Sequence, residues 1–130
     1  MKIVRHRLTA AERKDLWERM NRRCAYCGIK IGFSEVTADH KIPISRGGPD
    51  TSQNRVCCCG PCNVLKADRT VEEFRALVMG INYDLMQKDA GYSAGLRFGT
   101  IREYRKKHIY FYFEELEGRQ KCRELRKKRR

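Results

Sequence analysis

Leu16, Trp17 and Met20, set among charged positions, mark the apolar side of a helix over about residues 10 to 21. Thr9-Ala10-Ala11-Glu12 has the form of a capping box at its start. The pattern then shortens. Two brief runs, roughly 35 to 39 and 54 to 58, flank a loop rich in proline and glycine and have the length of strands. A helix beginning near Pro61 or Cys62 carries Asn63 and Lys66 three positions apart, on one face. Thr70-Val71-Glu72-Glu73 is a second capping box, leading a helix with Phe74, Leu77 and Val78 inward and Gly80 as its stop. Residues 90 to 99 read as a Gly-containing loop, and Thr100-Ile101-Arg102-Glu103 is a third capping box. After it, Ile101, Tyr104, His108, Tyr112 and Leu116 fit helical spacing, although Ile109-Tyr110-Phe111-Tyr112-Phe113 has strand composition; helix is the reading adopted. The sum is an α+β fold, with an N-terminal helix, a small strand-containing centre and a mainly helical C-terminal part.

A length of 130 residues fits one domain with a modest core. The organisation expected is a basic N-terminal arm and helix over 1–23, a central segment over 24–69, a helical extension over 70–118 and a basic tail over 119–130. Charge follows the same division. The net +13 arises from eight Lys/Arg against three acids in residues 1–23, thirteen against twelve in 24–118, and eight against one in 119–130. A near-neutral body with basic ends suits a polyanionic partner, nucleic acid being the commonest, although such runs also occur as solvated tails. No stretch has the length of a signal peptide or membrane span, so a soluble protein with no membrane partner, cytoplasmic or otherwise intracellular, is expected.

Seven cysteines, an odd number, point to metal rather than disulfides in a reducing compartment. Cys24-x-x-Cys27 and Cys59-x-x-Cys62 form two pairs, and each two-residue knuckle turns both sulfurs toward one tetrahedral ion, zinc above all. Cys59 is preferred to Cys57 and Cys58 because only it pairs with Cys62. Cys57 and Cys58 belong to the second strand, where one should face the core and the other outward. Cys122, in the basic tail, is most simply a free thiol.

Asp39 stands directly before His40 at the end of the first strand, and neighbouring side chains of a strand point to opposite faces. A shared task for the two requires the strand to end or twist there. Pro43 and Gly47-Gly48-Pro49 indicate that it does. With Asn54, and with Asn63 directly after the second knuckle, the segment DHKIPISRGGPDTSQNRVCCCGPCNVLK resembles the HNH endonucleases, also called ββα-metal or His-Me finger nucleases. The match is to the HNN variant, in which asparagine replaces the last histidine. Together with Cys24-Ala25-Tyr26-Cys27 the resemblance spans residues 24–69, roughly a third of the chain.

The resemblance implies a ββα-metal core with zinc knuckles, and roles for the matching positions. Asp39 and Asn63 would hold one catalytic Mg²⁺ or Mn²⁺, hard ions that take oxygen ligands and retain waters. His40 would be the general base that draws a proton from the water attacking phosphorus. Asn54 would brace the His40 segment rather than bind metal. Lys66 would contact a phosphate, although a lysine one turn into a helix is also commonly solvated. In the family the products carry 5′-phosphate and 3′-hydroxyl ends. His6 and His108 match nothing in the motif; His6 belongs to the basic arm, and His108 falls on a helical face as a packing residue.

Duplex DNA is the substrate the resemblance implies, with RNA a further candidate. The expected preference for sequence is weak, since Lys/Arg-rich ends mainly grip phosphates, and dependence on salt should be steep. The Ile109–Phe113 run is read as core, with a homodimer surface as the second reading. A monomer would nick, whereas a dimer could cut both strands. The competing function is a catalytically silent zinc module that binds nucleic acid, which has no need for Asp39, His40 and Asn63 together. Packaging, restriction and mobile-element settings, phage- or bacterium-like, are all compatible with these residues.

Overall fold

The structure is a computed structural model that describes residues 7–103 and 108–128. His6, Tyr104 and the outermost residues of both basic ends lie outside the described residues. The contacts gather into two compact units. One comprises residues 1–70 with 110–130, and the other residues 71–109.

In the first unit, α1 (Ala10–Arg19) is capped by Thr9, whose hydroxyl accepts from Glu12 N–H at 3.1 Å. It buries Leu16 and half-buries Trp17, whose indole N–H donates to Ile31 O at 2.8 Å. Asn21 and Arg22 both take left-handed backbone angles, φ 53° and 61°, and turn the chain from α1 into the first Cys-x-x-Cys knuckle. Strands β1 (Thr37–His40) and β2 (Arg55–Cys58) pair antiparallel, Thr37 opposite Cys58 and His40 opposite Arg55. Helix α2 (Gly60–Lys66) follows, with Cys59 at its N-cap and proline in its first turn. The α+β class and the ββα order match the sequence reading.

Both faces of β2 are covered, which changes the reading of its cysteines. Cys57 and Cys58 point to opposite sides of the strand, yet each is fully buried; the outward cysteine expected from alternation does not exist. Helix α1 packs against β2 and α2 against β1. Burial pushes both thiols up to about 12, so they remain neutral, and Cys57 Sγ donates to Arg23 O at 3.1 Å.

The second unit contains α3 (Val71–Lys88) and α4 (Ala90–Phe98). The second capping box places the start of α3 correctly, but the helix does not stop at Gly80. Isolated glycine weakens a helix without ending it, and no proline follows. Nor is 90–99 a loop. Asp89 caps α4 by accepting from Tyr92 N–H at 2.8 Å, and Gly99, φ 75°, closes it in the left-handed conformation. Phe74 is buried, and Leu77 and Val78 are half-buried.

The third capping box starts no helix: residues 101–103 and 108–111 are irregular, and His108 is exposed rather than packed. Helix α5 (Tyr112–Lys128) begins eleven residues later than the sequence suggests and belongs to the first unit. Glu114 Oε1 accepts from Phe111 N–H at 2.9 Å, half of a capping box that the Thr100 signal obscured. Tyr112 and Phe113 donate backbone N–H bonds to Tyr26 O and Ala25 O, and Phe111 and Phe113 set their rings edge-on to Tyr26 at 5.3 and 6.0 Å. These two phenylalanines are core, while Tyr110 is 67% exposed. The basic stretch from Arg119 continues in α5, which places cations at its C-terminal end, and Cys122 is exposed and free. No helix among the described residues is long and apolar enough to cross a membrane.

The loop between β1 and β2 is closed by the buried side chain of Asn54. Its Oδ1 accepts from Ile42 N–H at 3.0 Å, and its Nδ2 donates to Ile42 O and Pro49 O, both at 2.9 Å. Gly47 reverses the chain at φ 85°, and Gly48 lies against the Ile42 carbonyl so closely that a Cβ there would stand 1.9 Å from its oxygen. Gly48→Ala is therefore expected to cost about 1–3 kcal/mol by overpacking. Urea unfolding of the metal-loaded protein measures this, with Gly32→Ala, which meets nothing within 4 Å, as the control.

Candidate active site and metal centre

The end of β1 and the body of α2 together line a cleft of about 340 Å³. Its walls include Asp39 and His40 from β1, Asn63 from α2, and Asp68 just beyond. Asp39 is nearly buried, and its two carboxylate oxygens have different surroundings. Oδ2 accepts from the Tyr26 hydroxyl at 2.5 Å and pairs with the Lys66 ammonium at 2.9 Å; Oδ1 has no hydrogen bond among the described residues. Burial first, then the charge of Asp39, raises the Tyr26 phenol far above its ordinary value, so it stays a neutral donor. Lys66 also donates to His40 O at 3.0 Å and so ties α2 to the last residue of β1.

His40 is about a quarter exposed. Its Nε2 lies 2.8 Å from Asp50 Oδ1, an oxygen that also accepts from Arg55 Nε at 3.1 Å. Asp39 and Asn63 offer a carboxylate and a carboxamide to the same polar cleft, a donor chemistry that fits a hard divalent ion.

The four knuckle cysteines converge on a second centre. Their sulfurs all lie within 4.8 Å of one another, and Cys27 and Cys59 are 3.8 Å apart. Tetrahedral zinc with bonds of ~2.3 Å requires sulfurs about 3.8 Å apart, so the donor set fits that ion. Antiparallel pairing of Arg23 with Lys30 and a left-handed Gly28, φ 78°, shape the first knuckle. A hydrogen bond from Cys62 holds the Cys24 thiol down to about 4, aided by backbone amides, and the same contact raises Cys62. The shifts are opposite because the two sulfurs share one proton.

Residues 24–78 match the family described as HNH endonuclease. The match takes in 55 of the chain's 130 residues. An alignment of 62 positions, 43% of this chain, is 40% identical to the CRISPR-associated endonuclease Cas9 of Corynebacterium diphtheriae, and takes up 6% of that protein. The crystal structure of the Type II-C Cas9 enzyme from Actinomyces naeslundii superposes with a TM-score of 0.48 and 25% identity, over 56% of this chain and 8% of that one. The chain thus spans less than a tenth of the relatives it matches.

Within the matched segment, Asp39, His40 and Asn63 share the cleft, Asn54 stands behind it, and Cys24, Cys27, Cys59 and Cys62 gather apart from it. Lys66 requires a correction. It is completely buried and engaged with Asp39 and His40 O, an arrangement that does not fit a phosphate contact. Helical spacing put it on the Asn63 side, but a side chain that long can reach inward through packed atoms. Tyr26, Asp50, Arg55 and Asp68 were not singled out by the sequence. Only Asp50 left a local signal, as a charge in the loop after the two glycines.

Zinc added to the metal-free protein is expected to bind at one ion per chain, read by native mass spectrometry. Cys59→Ala should lose that ion, and Cys57→Ala should keep it. Acidification should release it as the thiolates protonate.

Proposed function

We propose that the chain is a metal-dependent endonuclease of the HNH type that nicks duplex DNA with weak sequence preference. Zinc held by Cys24, Cys27, Cys59 and Cys62 is structural, and Mg²⁺ or Mn²⁺ held by Asp39 and Asn63 is catalytic. The observation that carries the reading is the sharing of one polar cleft by Asp39, His40 and Asn63, which reach it from a strand and a helix more than twenty residues apart in sequence. A module that only gripped nucleic acid would gain nothing from that convergence.

His40 accepts a proton from water as the water oxygen bonds to phosphorus. The bond from phosphorus to the 3′ oxygen breaks, and solvent protonates the leaving oxygen, giving 5′-phosphate and 3′-hydroxyl ends. What the divalent ion supplies is stabilisation of negative charge on the phosphate and the leaving oxygen. Asp39 has one oxygen fixed by Tyr26 and Lys66, which leaves the other to be presented in a set direction. Asn54 holds the backbone two residues after His40, and thereby the base.

Incubation with supercoiled plasmid and Mg²⁺ or Mn²⁺ tests this. Open-circular product is expected from the parent chain, and His40→Ala should lose about 10²- to 10⁴-fold in rate, the usual worth of a general base. Asn54→Ala should slow cleavage while zinc content is unchanged. Equal activity of His40→Ala and the parent chain would remove His40 from the reaction.

A further inference from the structure

One residue outside the expected set contacts the imidazole, and a second holds that residue in place. Asp50 Oδ1 lies 2.8 Å from His40 Nε2, and Arg55 grips the same residue twice, through Nε to Oδ1 at 3.1 Å and through its terminal nitrogen to Asp50 O at 3.1 Å. Arg55 faces His40 across the sheet, so the register of β1 and β2 brings the guanidinium to this spot. The Asn54 amide holds Pro49 O, the residue before Asp50, and Ile42, two residues after His40. One side chain therefore fixes both partners of the contact.

We infer that Asp50, held by Arg55, is a positioning residue that fixes the orientation and tautomer of His40, with the proton on Nε2 and the basic lone pair on Nδ1. A carboxylate paired with an arginine is ionised and has no proton to donate. The hydrogen of the 2.8 Å contact must then belong to Nε2. A neutral imidazole carries one N–H, so Nδ1 is the nitrogen able to accept a proton from water. Nδ1 makes no hydrogen bond among the described residues, and His40 lines the cleft. Once water has given up its proton, the imidazolium faces the carboxylate through Nε2–H, so the product of proton transfer meets an opposite charge already in place.

The inference rests on the nuclease reading for its purpose, but its structural content is tested without cleavage. Long-range ¹H–¹⁵N correlation spectra of the full, zinc-loaded chain, recorded at alkaline pH, report the tautomer of each histidine, and His40→Gln assigns the signal. The Nε2–H form is expected for the parent chain, and a mixture of tautomers for Asp50→Asn, whose amide can either accept or donate. The same near-isosteric variant should lose about 10- to 100-fold in kcat, part of what a general base contributes, with KM for plasmid within about threefold. Arg55→Lys, which cannot grip Asp50 at both points, should give a smaller loss and serves if Asp50→Asn does not fold. An Nδ1–H signal in the parent chain, or parental kcat and tautomer in Asp50→Asn, would overturn the inference. An inactive parent chain would sink the nuclease reading instead, and the imidazole spectrum would decide this inference alone.

Discussion

The carboxamide of Asn54 is the constraint on which the rest of the cleft depends. Two four-residue strands are too short to fix the loop between them by ladder bonds alone. Asn54 replaces the missing rungs with three hydrogen bonds, one accepted and two donated, and closes both arms of the loop onto itself. Each such bond is worth about 1 kcal/mol net, but leaving its buried partner unmet costs about 1–3 kcal/mol, so the loop has one arrangement that satisfies every group. That arrangement ends β1 at His40 and sets Asp50 beside it.

Charge is handled with the same economy. Asp39, Lys66 and Tyr26 form a buried group in which one carboxylate oxygen has two donors, and Asp39 also lines the cleft. Burying an ion pair contributes little net stability, because desolvation offsets attraction. What it provides here is direction: Lys66 binds both Asp39 and the His40 carbonyl, so α2 cannot shift along β1 without breaking contacts to both. The thiol cluster acts at the opposite end of the helix. Cys59 stands at the N-cap of α2, and its sulfur meets those of the first knuckle, so α2 is anchored just before its first residue by sulfur and at its last by an ammonium. Asn63 lies between the two anchors.

Local signals were reliable where a side chain bonds its own backbone. Thr9 marked a helix start because its hydroxyl accepts from the Glu12 N–H three residues on, Thr70 stands directly before α3, and turn chemistry at Gly47-Gly48-Pro49 marked the loop. The same rule failed at Thr100: residues 101–103 and 108–111 are irregular, and Phe111 and Phe113 lie against Tyr26. Gly80 misled for a related reason, since neighbouring apolar residues sustain a helix through a weak position.

The sequence by itself determined the chemistry available: which cysteines come in biting pairs, that an aspartate and a histidine are adjacent, and that asparagines follow at set intervals. These are matters of spacing along a chain, and spacing is legible. Only the tertiary structure decided which groups face one another. Lys66 went inward to Asp39, both Cys57 and Cys58 were covered, and Arg55 met Asp50 beside His40, because the pairing of β1 with β2 and the docking of α2 bring together residues five to twenty-seven positions apart. No local periodicity encodes those distances, since they depend on how packed faces exclude water from both sides of a short sheet.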